Sequence, residues 1–505
     1  MPDLNKYIQS DSSKSDSSKK ITLEKLEAFL WKSADILRGS IDSSEYKHFI
    51  FGLLFLKRLS DQFQEEYNQI KDDPEDRDNY KFYVPKQARW SAIRRVSEGI
   101  GGAIDKAFSV LEDENEALQG VLVPIEFGDI NRLRDDTLSK LVIHFSQKEY
   151  NLANSNLSDP DILGRAYEYL IKQFADDSGK KGGEFYTPNG VVKTLVKILR
   201  PEEGMRICDP ACGSGGMLIE CFRYLQEKGQ NPENLTLFGQ EKNRNTWAIA
   251  KMNMLLHNIL DAEIRHGDTM TDPMNDDGHL RVFNMVIANP MWNQKEWSKN
   301  DFDKGDRFGR VLYEVPSQSS GDWMWVQHMC STLNSTGRMG VVLDNGVLFR
   351  GNREKKCRKG FIDDDLIEGV VALPPNLFYN TGSPGCLIII NKNKPEKFKE
   401  KIFFIHAENE YEEGSGQNFL REEQIQKISQ VYQEKEEVEK FSALIDLSEV
   451  RENNYNLNVS RYIDIFPEED QIDIFSCLQK LKKLNDERTK LEIEFQKNIR
   501  ELGYE

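Results

Sequence analysis

Two short stretches of this chain carry side chains suited to chemistry. Asn289-Pro-Met-Trp292 brings together a carboxamide, a proline carbonyl and an indole. Asp209-Pro-Ala-Cys-Gly-Ser-Gly-Gly216 sets a carboxylate ahead of a run of small residues. The amino group of a nucleobase is a poor nucleophile, because its lone pair is delocalised into the ring. If the Asn289 side-chain oxygen and the Pro290 carbonyl accept its two hydrogens, the nitrogen becomes more tetrahedral and its lone pair can point at an electrophile. Positioning to roughly 3 Å then supplies much of the rate. Trp292 offers a face on which an extruded base stacks. The glycine-rich stretch lets backbone approach a nucleotide-like ligand closely. Together they point to a methyl transferred from S-adenosylmethionine to an exocyclic amine of a nucleobase.

The elements around these stretches agree. Gly213, Gly215 and Gly216 have the wrong spacing for the dinucleotide G-x-G-x-x-G, and no Lys-Ser/Thr follows to make a P-loop. A plain strand-to-helix turn is the alternative. MRICDPACG, LTLFGQE, AEIRHGD, FNMVIANP, MGVVLDN, IEGVVALPP and GCLIIINK read as short buried strands, with helix-length segments between them. That alternation predicts a mostly parallel sheet covered on both faces, with ligand sites at the carboxyl ends of its strands. Asp209, Glu241, Asp268 and Asn289 all fall at such ends. Glu241 is suited to the two hydroxyls of a ribose, and Asp268 to an adenine amino group or to capping its own loop. Just upstream, DDSGKKGGEFYTP leads into a helix near Pro188. Its backbone amides and the Thr187 hydroxyl suit a carboxylate, and a surface turn is the competing reading.

The rest of the chain divides by pattern. Residues 1–20 are read as a disordered tail, being Ser/Asp/Lys-rich without apolar periodicity. Residues 21–155 read as an all-helical domain, with a long helix over 44–67 and further helices around 90–113 and 130–146. Its expected role is packing on the next domain, contacting a partner, or both. A helix from Ser158 to about Ala175 opens the second domain, set at 156–408. Residues 409–466 are taken as an extension with one helix around REEQIQKISQVYQEKEE. Residues 467–505 are taken as a terminal helix. Leu478, Leu481, Leu484, Leu491, Phe495, Ile499 and Leu502 follow an imperfect three/four spacing there, broken near Asn485 and Arg488. Docking on a partner helix is expected, folding back on its own domain is the alternative, and a long continuous coiled coil is not expected.

Bulk properties limit the classes. A chain of 505 residues is long for one core, and 38% hydrophobic with 30% charged residues is an ordinary soluble composition. No apolar run would cross a bilayer, and the start is not a signal peptide. The seven cysteines form no C-x-x-C pair and the seven histidines no H-x-x-x-H, so no metal site and a reducing cytoplasm are expected. The net charge of −17 is the opposite of what a free-standing DNA binder carries. Either the substrate is not nucleic acid, or another chain supplies much of the affinity.

GEFYTP, DPACGSGGML, GQEKN, AKMNMLLH, GDT, MVIANPMWNQ, WVQHM, GVVLDNGVLFRG and ALPPNLFYNTGSPGCLIIINK resemble the modification subunit of type I restriction–modification enzymes, from about Ile21 to about Asp464. These are adenine-N6 DNA methyltransferases, and the motif order is similar to the gamma group. The resemblance implies a Rossmann-like S-adenosylmethionine-dependent methyltransferase domain with an N-terminal all-helical domain and a C-terminal helix. It implies that Glu184, Phe185, Tyr186, Thr187, Pro188 and Asn189, with Ser214 to Gly216, hold the methionine part of the cofactor. Glu241 would hold the ribose, Asp268 the adenine, and Asn289, Pro290 and Trp292 the target amine. Implied partners are double-stranded DNA, a specificity subunit, a second copy of the chain and a restriction (nuclease/translocase) subunit, with no membrane. One departure stands out. The usual loop is Asn-Pro-Pro-aromatic, and Met291 replaces the second proline, which removes a restraint on Pro290. Activity is still expected, because Asn289, Pro290 and an aromatic remain. Two rival functions are kept: a protein-glutamine or RNA N-methyltransferase with a similar loop, and a cofactor-binding scaffold subunit with little catalysis.

Overall fold

Helical spacing of apolar residues builds the first third of the chain. The computed structural model describes residues 20–41, 45–71, 73–122, 125–129, 131–159, 161–177, 187–378, 381–414, 416–464 and 474–504, so the tail expected over 1–20 falls almost wholly outside them. Helices α1 (Leu23–Leu37), α2 (Tyr46–Gln69), α3 (Trp90–Ile93), α4 (Ile100–Glu114), α5 (Asp135–Phe145) and α6 (Ile162–Asp177) follow in order. The centre of α2 is apolar on every side and is buried throughout from Phe49 to Lys57, as such a helix must be. The single helix expected over 90–113 is two. Asp135 accepts hydrogen bonds from the N–H groups of Gly99 and Ile100, and α4 starts afresh there.

The remaining chain is a nine-stranded sheet with helices on both faces. Its strands are β1 (Arg206–Asp209), β2 (Thr236–Glu241), β3 (Glu263–His266), β6 (Phe283–Ala288), β7 (Leu333–Asp344), β8 (Ile367–Ala372), β9 (Gly385–Asn391), β10 (Lys401–His406) and β11 (Ser442–Asp446); β4 (Asn275–Asp276) and β5 (His279–Leu280) form a separate small hairpin. The spatial order is β11-β10-β8-β9-β7-β6-β1-β2-β3. β3, β2, β1, β6 and β7 are parallel, and β9 runs antiparallel between β7 and β8. The chain therefore moves outward from β1 to β3, then returns past β1 to β6. That reversal opens a crevice at the carboxyl ends of β1 and β6. Covering helices are α7 (Asn189–Leu199), α8 (Gly216–Glu227), α9 (Arg244–Leu256), α10 (Lys299–Asp303), α11 (Asp322–Ser331), α12 (Asn352–Asp363), α13 (Glu422–Glu434) and α14 (Leu447–Glu452). The central strands alternate between two cores. Val342 and Leu387 face the side of α7, α8 and α13, while Val341, Leu343 and Ile388 face α11 and α12.

Two stretches pack across the boundaries read from sequence. The first is α6, which opens the second domain in that reading. Its Leu163, Ala166, Tyr167 and Leu170 join the core of α1 and α2, and the Tyr167 hydroxyl donates to the Ile249 carbonyl on α9 at 3.2 Å. α9 adds Ile249, Met252, Leu255 and Leu256 to that same core, and turns Ala250 and Met254 toward the sheet. The second is the stretch after residue 408. β11 pairs antiparallel with β10, and Leu447, Val450, Leu457, Val459 and Ile463 are core residues, so most of 409–466 belongs to the methyltransferase fold. The region looked like an appendage because its charged residues hide short apolar anchors.

A buried ion-pair cluster ties that region to the sheet. The Glu368 carboxylate on β8 accepts from Arg338 on β7, Asn391 on β9, Tyr432 on α13 and Lys435 just beyond it. These partners, Arg338 foremost, hold its carboxyl well below the usual carboxylate range against the opposing effect of burial. Its stabilisation is present above the unfolded-state pKa and is lost as pH falls through the depressed folded value. Replacing Glu368 with Ala leaves two partly buried cations without their shared carboxylate, and is expected to cost about 3 kcal/mol, read as a lowered denaturant midpoint.

The last helix, α15 (Ile474–Glu501), is continuous through Asn485 and Arg488. Its Phe475, Leu478, Leu481, Leu484, Leu491 and Phe495 are between 57% and 70% exposed. The three/four pattern is present, and these six side chains face solvent.

Candidate active site

Four parallel strands deliver four polar residues to one edge of the sheet. In the register Asp209 lies beside Gly239 and Glu241 beside His266, with Cys208 beside Val286 on β6. Asp209 ends β1, Glu241 ends β2, Asp268 follows β3 by two residues, and Asn289 follows β6 directly.

The glycine turn is shaped by its backbone. Gly213 (φ 53°) and Gly215 (φ 82°) take left-handed conformations that disfavour other residues, and α8 starts at Gly216. A Cβ at Gly213 or Gly216 would meet no atom within 4 Å, so the turn borders open space that a ligand can fill. The Glu241 carboxylate fixes the turn from the next strand. Its Oε2 accepts from the Gly213 N–H at 3.1 Å and its Oε1 from the Asn243 N–H at 2.7 Å. On the other side Asn253 of α9, fully buried, donates from Nδ2 to the Ser214 carbonyl at 2.9 Å. Asn253 was missed by sequence reasoning; its signal is a lone carboxamide inside the apolar run MNMLLH.

Asp209 is 2% exposed and accepts from the Ala211 N–H at 3.0 Å. Burial pushes its carboxyl up to about 8; the Ala211 N–H opposes the rise, and the negative charge of Glu241 adds to it. Asp268 is half-buried. Its Oδ1 accepts from the Met270 N–H at 3.0 Å and its Oδ2 pairs with Lys242 Nζ at 2.8 Å, so it caps its own loop.

The Asn289 loop is held from several directions. Asn289 Nδ2 donates to Thr187 Oγ1 at 2.9 Å. Trp292 Nε1 donates to Asn289 Oδ1 at 2.9 Å and to the Val342 carbonyl of β7 at 3.2 Å. The Trp292 ring meets Phe378 edge to face, with centroids 4.5 Å apart. Pro290 is buried, whereas Met291 is 43% exposed. After Trp292, the Asn293 N–H donates to the buried Asp322 carboxylate at 2.9 Å, and Arg350 bridges Asn293, Asp322, Asp344 and Glu354. The restraint missing at Met291 is thus supplied by contacts on both flanks. Arg350 and Asp322 belong to the LDNGVLFRG and SGDWMWVQHM segments, where sequence alone assigned them no task. Thr187 and Pro188 lead into α7, which starts at Asn189, while Glu184, Phe185 and Tyr186 lie outside the described residues.

Comparison with known proteins bears on what this arrangement does. The family model described as N-6 DNA Methylase matches residues 158–471, and one described as HsdM N-terminal domain matches residues 26–145. The chain belongs to the N-6 DNA methylase family. It is 36% identical to the type I restriction enzyme MjaVIII methylase subunit of Methanocaldococcus jannaschii, over 93% of this chain and 83% of that one. It is 33% identical to the HindI methylase subunit of Haemophilus influenzae, over 84% of this chain and 100% of that one. A crystal structure of the type I restriction-modification system methyltransferase subunit from Streptococcus thermophilus superposes with a TM-score of 0.77 at 31% identity, covering 88% of this chain and all of that one. Within the family, the chain is a modification subunit of the type I kind, an adenine-specific DNA methyltransferase. The protein-glutamine or RNA alternative is not supported. The family also implies use of S-adenosylmethionine. No helix among the described residues is long and apolar enough to cross a membrane.

Proposed function

We propose that Asn289, Pro290 and Trp292 carry methyl transfer to the N6 amine of an adenine extruded from double-stranded DNA. The observation that carries the reading is the position of Asn289, on the same sheet edge as Asp209, Glu241 and Asp268. Asn289 Oδ1 and the Pro290 carbonyl accept the two amine hydrogens, and Trp292 walls the pocket for the flipped base. S-adenosylmethionine, when bound, supplies an electrophilic sulfonium methyl. The open space over Gly213 and Gly216 and the acidic strand ends fit that cofactor. Asp209 and the turn Gly213-Ser214-Gly215-Gly216 line its methionine part, together with Glu184 to Asn189. Glu241 takes the ribose hydroxyls, and Asp268 the adenine.

In the same reading the chain works inside a larger assembly in the cytoplasm. A specificity subunit selects the DNA site, a second copy of this chain completes the modification enzyme, and a restriction (nuclease/translocase) subunit joins it. The names of its relatives, the net charge of −17 and the exposed stripe of α15 support this division of labour. The test is transfer of labelled methyl to unmethylated genomic DNA by the chain together with its specificity partner. N6-methyladenine in the product is the expected result. Cofactor binding without any transfer would instead favour the scaffold alternative.

Asp209 adds a pH dependence. Its carboxyl, pushed up to about 8, is mostly neutral in the free protein at pH 7. The cationic end of the cofactor favours the ionised form, so binding releases a proton below that value. Affinity should therefore rise with pH, by up to about tenfold per unit, and level off above about pH 8. Calorimetric titrations at several pH values should give a flatter slope for Asp209→Asn than for the parent. Equal slopes would remove Asp209 from the cofactor site.

A further inference from the structure

A carboxamide can serve the target amine only if its oxygen faces that amine, and two contacts decide which way Asn289 faces. An indole N–H donates and never accepts, so the Asn289 atom 2.9 Å from Trp292 Nε1 is the oxygen. Nδ2 accordingly faces Thr187 Oγ1, also at 2.9 Å. We propose that Thr187 is a positioning residue for transfer: its hydroxyl oxygen accepts from Asn289 Nδ2 and keeps the amide oxygen turned toward the base. This rests on the reading of Asn289 given above, and it gives Thr187 a task beyond the cofactor contact expected from sequence.

Trp292 explains why a second anchor is needed. In the free site its N–H occupies the Asn289 oxygen, the atom that the target amine must reach. The same N–H has another acceptor in the Val342 carbonyl at 3.2 Å. When the amine arrives, the indole can turn wholly to Val342 without leaving a buried donor unpaired. At that moment Trp292 no longer orients Asn289, and Thr187 remains as the contact on the nitrogen end. A hydroxyl also carries one proton. Donated to an anion at the start of α7, that proton leaves Thr187 Oγ1 only its lone pairs for Asn289, so a reversed amide would set oxygen against oxygen.

Thr187→Val keeps the shape and removes the hydroxyl; Thr187→Ser keeps the hydroxyl. In the assembled complex, at saturating cofactor and unmethylated genomic DNA, kcat should fall about tenfold or more for Val and recover for Ser. Melting temperature should stay at the parent value, and cofactor affinity, read by calorimetry without turnover, should change much less than kcat. A Val variant with full kcat and only weakened cofactor binding would overturn the proposal. So would equal losses in Val and Ser, which would assign the effect to packing. Asn289→Ala, assayed alongside, separates the two levels of the argument. If that variant transfers normally, the reading of Asn289 has failed; if it is inactive while Thr187→Val is fully active, only the role of Thr187 has failed.

Discussion

Asn289→Ala should abolish most methyl transfer while the protein still folds and binds its cofactor. The side chain is half-buried, and its hydrogen bonds run to Thr187 and Trp292, which are themselves only half-buried. Its removal frees a threonine hydroxyl, and leaves the Trp292 N–H with the Val342 carbonyl. Stability should therefore change little. What is lost, in the proposed mechanism, is the acceptor that reshapes the amine nitrogen. Removing one preorganised hydrogen-bonding group at a developing charge costs about a hundredfold to a thousandfold in kcat. The expected readout is that loss in labelled methyl incorporated into DNA, with calorimetric cofactor binding near the parent value. Normal transfer by this variant would overturn the mechanism.

The second large effect concerns assembly. Deleting residues 467–505 removes α15 with its exposed stripe of Leu and Phe. Burying one such side chain contributes about 1.5–3 kcal/mol, so a partner covering several of them gains many orders of magnitude in affinity. The truncated chain should bind the cofactor normally, because no part of the candidate site lies on α15. Its complex with the specificity partner should weaken by at least about a hundredfold, measured by co-purification and by titration of the purified components. An intact complex would mean that the stripe serves something else.

The polar edge of the sheet was legible because strand ends carry a double signature. A short Val/Ile-rich run ending in a polar residue marks both an element and the place where it stops, and Asp209, Glu241, Asp268 and Asn289 each stand at such a stop. The alternation of strands and helices foretold the parallel sheet, but not its order, since pairing partners lie far apart in the chain. The antiparallel seat of β9 between β7 and β8 has no local cause in GCLIIINK. β11 escaped notice because SALID is half-exposed edge strand, too polar to stand out from its helical surroundings. Contacts between distant residues were equally hidden. Thr187 and Asn289 are 102 positions apart, and nothing in FYTP hints that its hydroxyl meets a carboxamide in ANPM. Arg350 likewise read as a family landmark, and only the fold gives it Asn293, Ser320, Asp322, Asp344 and Glu354 as partners beside the Asn289 loop.

α9 has a consequence for how such a chain can be rearranged. One side of this helix completes the helical N-terminal core, the other packs toward the sheet, and Asn253 between them holds Ser214 in place. It is a party wall shared by two households. Neither can be demolished or exchanged without disturbing the room next door, where the glycine turn sits. Swapping the N-terminal helices between relatives would therefore require matching replacements along α9. Among the described residues α15 contributes none to these cores, so replacing that helix leaves both households standing.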